Sequence, residues 1–338
     1  MEFLFRVLLE LFGFVLGSPL YALCASLEFA VDMEKRAEEY IRPVFSEWSR
    51  GQVMTSVGEA SFPVFMVEFQ DVKYSDRMVS QEELDRWIFS GEGSVSDYYA
   101  VSSHGRMKME GDIYFYTAQK DIADYEDEEA LEGLILEILE YYDDEIDFSQ
   151  YDRNGDLVMD SLVISVPSGG DVDFWWGATH YWYYNWGHQI DGIYMMNYVV
   201  CDEQPYPNEK RYYQATLEHE LGHCMGLPDY YKYSYEGIDF EGMNGIAGKE
   251  RMDDSEGDFC QFSKLQLGWL KWEQVQIMPG DADRATFYLP PVKDGGCLLI
   301  FPKGERQDFQ GEYFLVEYNT PEGLQAGLFR EGGVRILH

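Results

Sequence analysis

The segment at residues 217–231 constrains the fold most strongly. It reads L-E-H-E-L-G-H-C-M-G-L-P-D-Y-Y and places His219 and His223 four positions apart. On an α-helix, residues four apart lie on the same face. Gly226 can end such a helix in a left-handed conformation, and Pro228 prevents the helix from continuing. The segment therefore predicts a helix that presents two imidazoles side by side, followed by a turn.

This spacing is typical of a catalytic zinc site. Two imidazoles one helical turn apart can bind one Zn²⁺, and a catalytic zinc takes a third protein ligand and keeps one position open. Asp229 follows the turn, six residues after His223, and its carboxylate can reach the same metal. Glu220, next to His219, can act as the general base on a zinc-activated water. A surface helix with two chance histidines is the alternative, but it leaves Gly226, Pro228 and Asp229 unexplained.

Charge and composition narrow the class of protein. The 338 residues include 25 Lys and Arg against 62 Asp and Glu, a formal net charge of −37, and 46% of them are hydrophobic. A hydrophobic fraction of this size predicts a folded chain with a full core. The negative charge argues against nucleic-acid partners and against docking on anionic membranes.

The first 60 residues are predicted to lie outside the catalytic domain. Residues 1–27 include an uncharged, largely apolar stretch at 11–27, which is either a signal peptide with an atypical charge pattern or an apolar helix. Glycines and a proline in it disfavour a transmembrane helix, so no stable membrane insertion is expected. Residues 28–60 are predicted to be a propeptide or linker that includes a polar helix, and residues 61–338 the catalytic domain.

Apolar periodicity predicts several further elements. The predicted strands are 62–69, 162–166 and a strand pair at 107–116, and the predicted helices are 80–89 and 94–100. Residues 121–147 hold 13 acidic residues and no basic one. Within them the apolar residues follow helical spacing, which predicts an amphipathic helix with a solvated acidic face, at Leu131, Leu134, Ile135, Ile138 and Tyr142.

An acidic loop after this helix resembles part of an EF-hand. Its oxygen ligands at positions 1, 3, 5, 7 and 9 would be Asp152, Asn154, Asp156, the carbonyl of Val158, and Asp160. Leu157 stands where glycine is preferred, and Val163 stands in place of the usual Glu. The loop is therefore either a structural Ca²⁺ site or an Asx-rich turn without metal.

The zinc motif resembles that of the immune inhibitor A-like secreted metallopeptidases of bacteria, which are zincins with a metzincin-like pattern. Other stretches resemble the same family in the same order, over about residues 61–338. These stretches are residues 62–75, 93–99, 146–160, 251–270, 311–318 and 333–338.

The resemblance implies roles residue by residue. His219, His223 and Asp229 match the zinc ligands, and Glu220 matches the general base. Met252 matches the methionine of the Met-turn, with Met243 as a weaker competitor. Relatives often have Tyr two residues after that methionine, where this chain has Asp254. Tyr230 or Tyr231 would then be the hydrogen-bond donor to the oxyanion.

The implied fold is α+β and zincin-like, with a twisted mixed sheet over the active-site helix and a C-terminal part that holds the Met-turn. The implied function is a secreted, zinc-dependent endopeptidase that acts on proteins or peptides, with Ca²⁺ as a second metal. The resemblance ends inside a strand, so the chain is expected to be truncated at its C-terminus.

Two other functions fit the sequence. One is a catalytically inactive, calcium-stabilised surface or binding protein on a zincin scaffold, which the intact Glu220 disfavours. The other is a zinc peptidase outside this family with a narrow peptide substrate. Neither disulfide pairing among the five cysteines nor the oligomeric state can be read from the sequence. The Trp- and Tyr-rich stretch at 174–186, which includes His180, is either core or a wall of the substrate cleft.

Overall fold

The computed structural model describes residues 54–167, 178–181, 188–231, 246, 248–254, 256–278, 284–304 and 311–338. The predictions for residues 1–53, for most of the 174–186 stretch and for Met243 lie outside these ranges. The chain divides into two compact units, one formed by Ser49–Asp258 and the other including Phe259–His338. Helices and several sheets together make this a mixed α/β chain.

The main sheet of the first unit is mixed, as predicted. Its strands stand in the order β2-β1-β3-β7-β4, and all neighbours run parallel except β4, which pairs antiparallel with β7 at the edge. Two short strands, β5 and β6, form a separate antiparallel pair. The strands are β1 (Gly58–Glu68), β2 (Met107–Thr117), β3 (Val163–Ser165), β4 (Ala178–Tyr181), β5 (His188–Ile190), β6 (Ile193–Met195) and β7 (Asn197–Cys201).

The helix that carries the paired histidines lies against this sheet. It is α4, and it packs on strands β4 and β7 and on helices α2 and α5. The helices of this unit are α1 (Gln81–Asp85), α2 (Val95–Ser102), α3 (Glu128–Tyr142), α4 (Lys210–Cys224) and α5 (Arg251–Asp254). No helix in the described part of the chain is long and apolar enough to cross a membrane.

Most elements predicted for this unit are confirmed. The runs 62–69 and 162–166 form β1 and β3, and 94–100 begins α2. Ser80 caps α1 by accepting a hydrogen bond from the Glu83 amide at 3.2 Å. In α3, all five apolar residues predicted at helical spacing are buried in the core. Glu128, Glu129 and Glu140 of α3 are exposed, whereas Glu137 accepts hydrogen bonds from the hydroxyls of two core tyrosines, Tyr116 and Tyr125.

The strand pair predicted at 107–116 is wrong, because these residues form one continuous strand. Strand β2 runs parallel to β1 from the pair Gly58 and Met107 to the pair Glu68 and Thr117. Gly111 makes no turn; a Cβ there would come within 2.0 Å of the Phe62 carbonyl oxygen, so glycine permits a close approach. The parallel pairing needs a long crossover, which α1 and α2 supply.

The described part of the second unit contains a four-stranded sheet in the order β11-β10-β9-β8. Its core holds Leu265, Leu299 and Leu315, among others. Glu317 is fully buried there and accepts hydrogen bonds from the Gln261 amide at 2.7 Å and from Asn319 at 3.0 Å. The elements are α6 (Gln261–Gln266), β8 (Val275–Met278), β9 (Cys297–Ile300), β10 (Phe314–Asn319) and β11 (Gly333–Leu337).

Candidate metal centre

Helix α4 ends in the turn that the sequence predicts. Gly226 adopts a left-handed conformation with φ of 92°, which a side chain would strain. Its amide donates to the His223 carbonyl at 2.8 Å, and the Leu227 amide donates to the Gly222 carbonyl at 3.1 Å. These bonds satisfy the last carbonyls of the helix and turn the chain back toward its histidines.

The turn brings the three predicted ligands together. The Asp229 Oδ1 atom lies 2.9 Å from His219 Nε2 and 3.3 Å from His223 Nε2. The ligand atoms of these three residues all fall within 4.8 Å of one another. The side chains of His219 and Asp229 are only 6% and 7% exposed. The structure therefore brings together a largely buried His-His-Asp group that could hold a metal ion.

Backbone carbonyls fix the orientation of both imidazoles. His219 Nδ1 donates to the Arg251 carbonyl at 2.8 Å, and His223 Nδ1 donates to the Leu227 carbonyl at 2.8 Å. A carbonyl can only accept, so each Nδ1 carries a proton. In the neutral imidazole, Nε2 then offers its lone pair, which is the form that binds metals.

This arrangement fits a tetrahedral cation site. With both imidazoles neutral, two Nε2 lone pairs and a carboxylate oxygen converge, and three acceptors at such distances repel one another unless a proton or a metal cation lies between them. In a tetrahedral site with bonds of about 2.0–2.1 Å, two ligand atoms stand ~3.3 Å apart. The separations of 2.9 and 3.3 Å are close to that value.

The electrostatics around His223 also favour a positive charge. Burial by itself lowers the pKa of His223, but the contact with Asp229 and the charge of Glu220 raise it, and so does the hydrogen bond to Leu227. The net result is a pKa above the usual value for histidine. A site that holds a proton more firmly in this way is also one that attracts a metal cation.

Glu220 lies beside the cluster, held by a residue of the edge strand. Its carboxylate Oε2 and its carbonyl oxygen are 2.9 and 2.8 Å from the hydroxyl of Thr179 in β4. Burial raises the pKa of Glu220, while the two histidines and Thr179 oppose the rise. A raised pKa brings a carboxylate closer to the range in which it accepts and returns a proton.

Met252 lies in α5, in the same unit as α4, and its side chain is fully buried. Its carbonyl accepts a hydrogen bond at 2.8 Å from the amide of Tyr230, the residue after Asp229. The ring of Tyr231 stacks on that of His219 at 6.2 Å. These contacts place α5 next to the ligand turn, and the roles of Met252, Tyr230 and Tyr231 stay predictions.

Sequence reasoning missed three residues that touch this site. Thr179 contacts Glu220, and Arg251 binds His219 through its carbonyl. Glu218, the residue before His219, forms an ion pair with Arg251 at 2.8 Å. Glu218 directly precedes the H-E-x-x-H motif and Arg251 directly precedes Met252, and these charged residues next to the motifs were the available signal. No local sequence feature indicates a role for Thr179.

His180 follows Thr179 in β4. Its ring stacks on Tyr198 at a centroid distance of 5.0 Å. Burial lowers its pKa below the usual value for histidine. These contacts give His180 a packing role at the sheet edge.

The acidic loop uses many of its oxygens on its own backbone. Asp152 accepts hydrogen bonds from the amides of Gly155, Asp156 and Leu157 at 2.8 to 3.1 Å. Asp160 is buried and accepts from the amides of Ser61 and Arg153. Burial raises the pKa of Asp160 to about 6. Among the described residues, His219, His223 and Asp229 are the only group of three or more His, Cys, Asp or Glu side chains whose ligand atoms all lie within 4.8 Å of one another.

The calcium site stays a prediction, and thermal unfolding tests it. Calcium at ~100 times its Kd stabilises a folded protein by about 2.7 kcal/mol, which raises the Tm of a unit of this size by roughly 5–10 °C. We expect such a rise, and we expect Asp156→Asn to abolish it. An unchanged melting curve in calcium and in a calcium chelator would identify the loop as a metal-free Asx turn.

No family model and no curated protein matches this chain. Among solved structures it is similar to crystal structures of OgpA from Akkermansia muciniphila. Two wild-type crystal forms are 13% and 14% identical, with TM-scores of 0.30 and 0.28. A third, of catalytically inactive OgpA in complex with an O-glycopeptide (glycodrosocin) substrate, is 15% identical with a TM-score of 0.28.

These matches cover 53% of this chain and 50% of OgpA, so the chain spans about half the length of those structures. TM-scores of this size do not establish a shared fold. Membership of the immune inhibitor A-like family stays a prediction, carried by the residues that resemble it.

Proposed function

We propose that this protein is a zinc-dependent endopeptidase. The observation that carries the proposal is the convergence of His219 Nε2, His223 Nε2 and Asp229 Oδ1, with both Nδ1 protons held by carbonyls. A largely buried group of three metal ligands next to a buried carboxylate, Glu220, suits metal-assisted hydrolysis.

His219, His223 and Asp229 would hold the Zn²⁺. When bound, zinc lowers the pKa of water toward ~7 and polarises the scissile carbonyl. Glu220 takes a proton from the attacking water and passes it to the leaving amine. Thr179 orients the Glu220 carboxylate through its hydroxyl. Tyr230 or Tyr231 would donate a hydrogen bond to the developing oxyanion.

The substrate proposed for this site is a protein or peptide outside the cell. An extracellular enzyme fits one of the two predictions for residues 1–27, a signal peptide rather than an apolar helix, and it fits the charge of −37, which keeps a chain soluble. No basic surface for nucleic acid is expected with that charge.

Metal analysis and proteolysis test the proposal together. We expect the purified full chain to contain about one zinc per molecule, as a single site predicts. Cleavage of casein should stop with 1,10-phenanthroline and return when zinc is added. The non-chelating isomer 1,7-phenanthroline is the matched control and should leave cleavage unchanged.

Casein cleavage that survives complete removal of metal would overturn the proposal. A chain that binds zinc but cleaves neither casein nor any member of a peptide library would favour the inactive scaffold instead. Cleavage of a few library peptides without casein would identify a peptidase of narrow specificity.

A further inference from the structure

A buried ion pair lies directly behind the first histidine of the metal centre. Glu218 precedes His219 in α4, and its Oε2 atom is 2.8 Å from Nη2 of Arg251 in α5. The two side chains are only 9% and 7% exposed. Burial of two charges this deep is uncommon unless they are paired and hydrogen-bonded.

Further contacts of Arg251 fix its side chain. Its Nε donates to the Tyr98 hydroxyl at 3.1 Å, and its Nη2 donates to the Gly257 carbonyl at 2.9 Å. The guanidinium also lies 4.6 Å from the centroid of the Tyr98 ring, within the range of a cation–π contact. Tyr99, the next residue in α2, donates from its hydroxyl to the Glu218 carbonyl at 2.6 Å. Helix α2 therefore holds both members of the pair.

The backbone of Arg251 also contacts the metal centre. Its carbonyl accepts the Nδ1 proton of His219 at 2.8 Å, while its guanidinium binds the residue just before that histidine. Helices α4 and α5 are thus joined at two points, one through side chains and one through the imidazole. A shift of α5 along α4 would move the carbonyl that sets the orientation of the His219 ring.

We propose that the Glu218–Arg251 ion pair, held by Tyr98, is a positioning device for the metal ligand His219. The inference rests on the proposed function, because it assumes that His219 binds zinc. Glu218 and Arg251 are positioning residues that touch neither the metal nor the substrate. They act by holding the Arg251 carbonyl at the distance and angle that present His219 Nε2 to the metal.

The energetics of buried ion pairs make it possible to distinguish a positioning role of this pair from a stabilising one. Replacing both charges with apolar groups of similar volume is often neutral or even stabilising, whereas removing one partner strands a buried charge and destabilises strongly. If the pair had no role in positioning His219, both of its charges could therefore be replaced without loss of zinc affinity. The double variant Glu218→Leu/Arg251→Met tests this, because it removes both charges and strands neither.

Zinc affinity of the full chain is the decisive measurement, made by competition with a chromophoric chelator. We expect the double variant to bind zinc about 10–100-fold more weakly than wild type, the range typical of outer-shell partners of a metal ligand. Its zinc-free form should melt within a few degrees of the zinc-free wild type. Its kcat should fall while KM changes little, because the substrate contacts are untouched.

Two single variants sharpen the result. Arg251→Lys keeps the charge but loses the planar fork, so we expect a zinc affinity between those of wild type and the double variant. Arg211→Met is the matched control, because Arg211 also lies in α4 and pairs with an acid, Glu256, but is 75% exposed and does not contact a ligand. Its zinc affinity should equal that of wild type.

The outcomes distinguish this inference from the proposed function. A wild-type chain that binds no zinc overturns both. A wild-type chain that binds zinc and cleaves casein, with a double variant of equal zinc affinity, overturns the positioning role alone. A double variant whose zinc-free form unfolds far below wild type, with zinc affinity unchanged where folded, assigns the pair to stability and also overturns it.

Discussion

Glu220→Gln is expected to reduce kcat for peptide cleavage by about 10²–10⁴-fold, the contribution typical of a general base. Glutamine keeps the shape and can still accept the hydrogen bond from Thr179, which lies 2.9 Å from Oε2. It cannot take a proton from water at neutral pH. Initial rates on a fluorogenic peptide, together with zinc content by mass spectrometry, check the prediction.

The zinc content of this variant should equal that of wild type, because Glu220 is not among the three converging ligands. Glu82→Gln is the control for loss of one negative charge, since its side chain is 83% exposed in α1. It should cleave at the wild-type rate. Full activity in Glu220→Gln would remove Glu220 from the mechanism, and lost zinc would show that it acts on the metal site instead.

Local sequence predicted much of the site because local chemistry determines much of it. The helix with His219 and His223, its end at Gly226 and the return of Asp229 all follow from residues within about one dozen positions. Each depends on helical spacing or on the conformational freedom of glycine, which act over one or two turns. The structure accordingly brings His219, His223 and Asp229 together.

The parts that were missed depend on long-range pairing. Thr179 reaches Glu220 from an antiparallel edge strand 41 residues away, and Arg251 reaches His219 from 32 residues away. The periodicity of apolar residues along the sequence does not indicate which strand packs against which helix. The strand pair predicted at 107–116 failed for the same reason, because these residues form one strand that pairs with the distant β1, and Gly111 permits a close approach to it.

The calcium prediction was left open by the sequence for a different reason. Asp152, Asp156 and Asp160 have the spacing of a calcium loop, but the same residues are also good acceptors for backbone amides in tight turns. The structure shows the amide contacts of Asp152 and Asp160. The spacing of the carboxylates alone does not distinguish metal binding from hydrogen bonding to backbone amides. Two imidazoles whose tautomers are fixed have fewer alternative binding partners.

Asp229→Ala is expected to weaken zinc binding by more than the roughly 10–100-fold that outer-shell substitutions cost, because it removes a direct ligand. Asp229 supplies the oxygen that lies 2.9 and 3.3 Å from the two imidazole nitrogens. Two histidines alone would leave the metal with too few protein ligands for a catalytic site. Zinc content and chelator competition measure the loss, and peptide cleavage should fall with it.

The melting temperature of the same variant decides between a metal site and a metal-free ion cluster. Zinc at ~100 times its Kd should stabilise the wild type by about 2.7 kcal/mol, and this gain should vanish in Asp229→Ala. Without zinc, removing one of three converging acceptors should leave the Tm equal or higher. A metal-free cluster of protonated imidazoles around Asp229 would instead lose stability when the carboxylate is removed. Asp124→Ala, at an exposed position, is the control and should keep the full zinc-dependent rise.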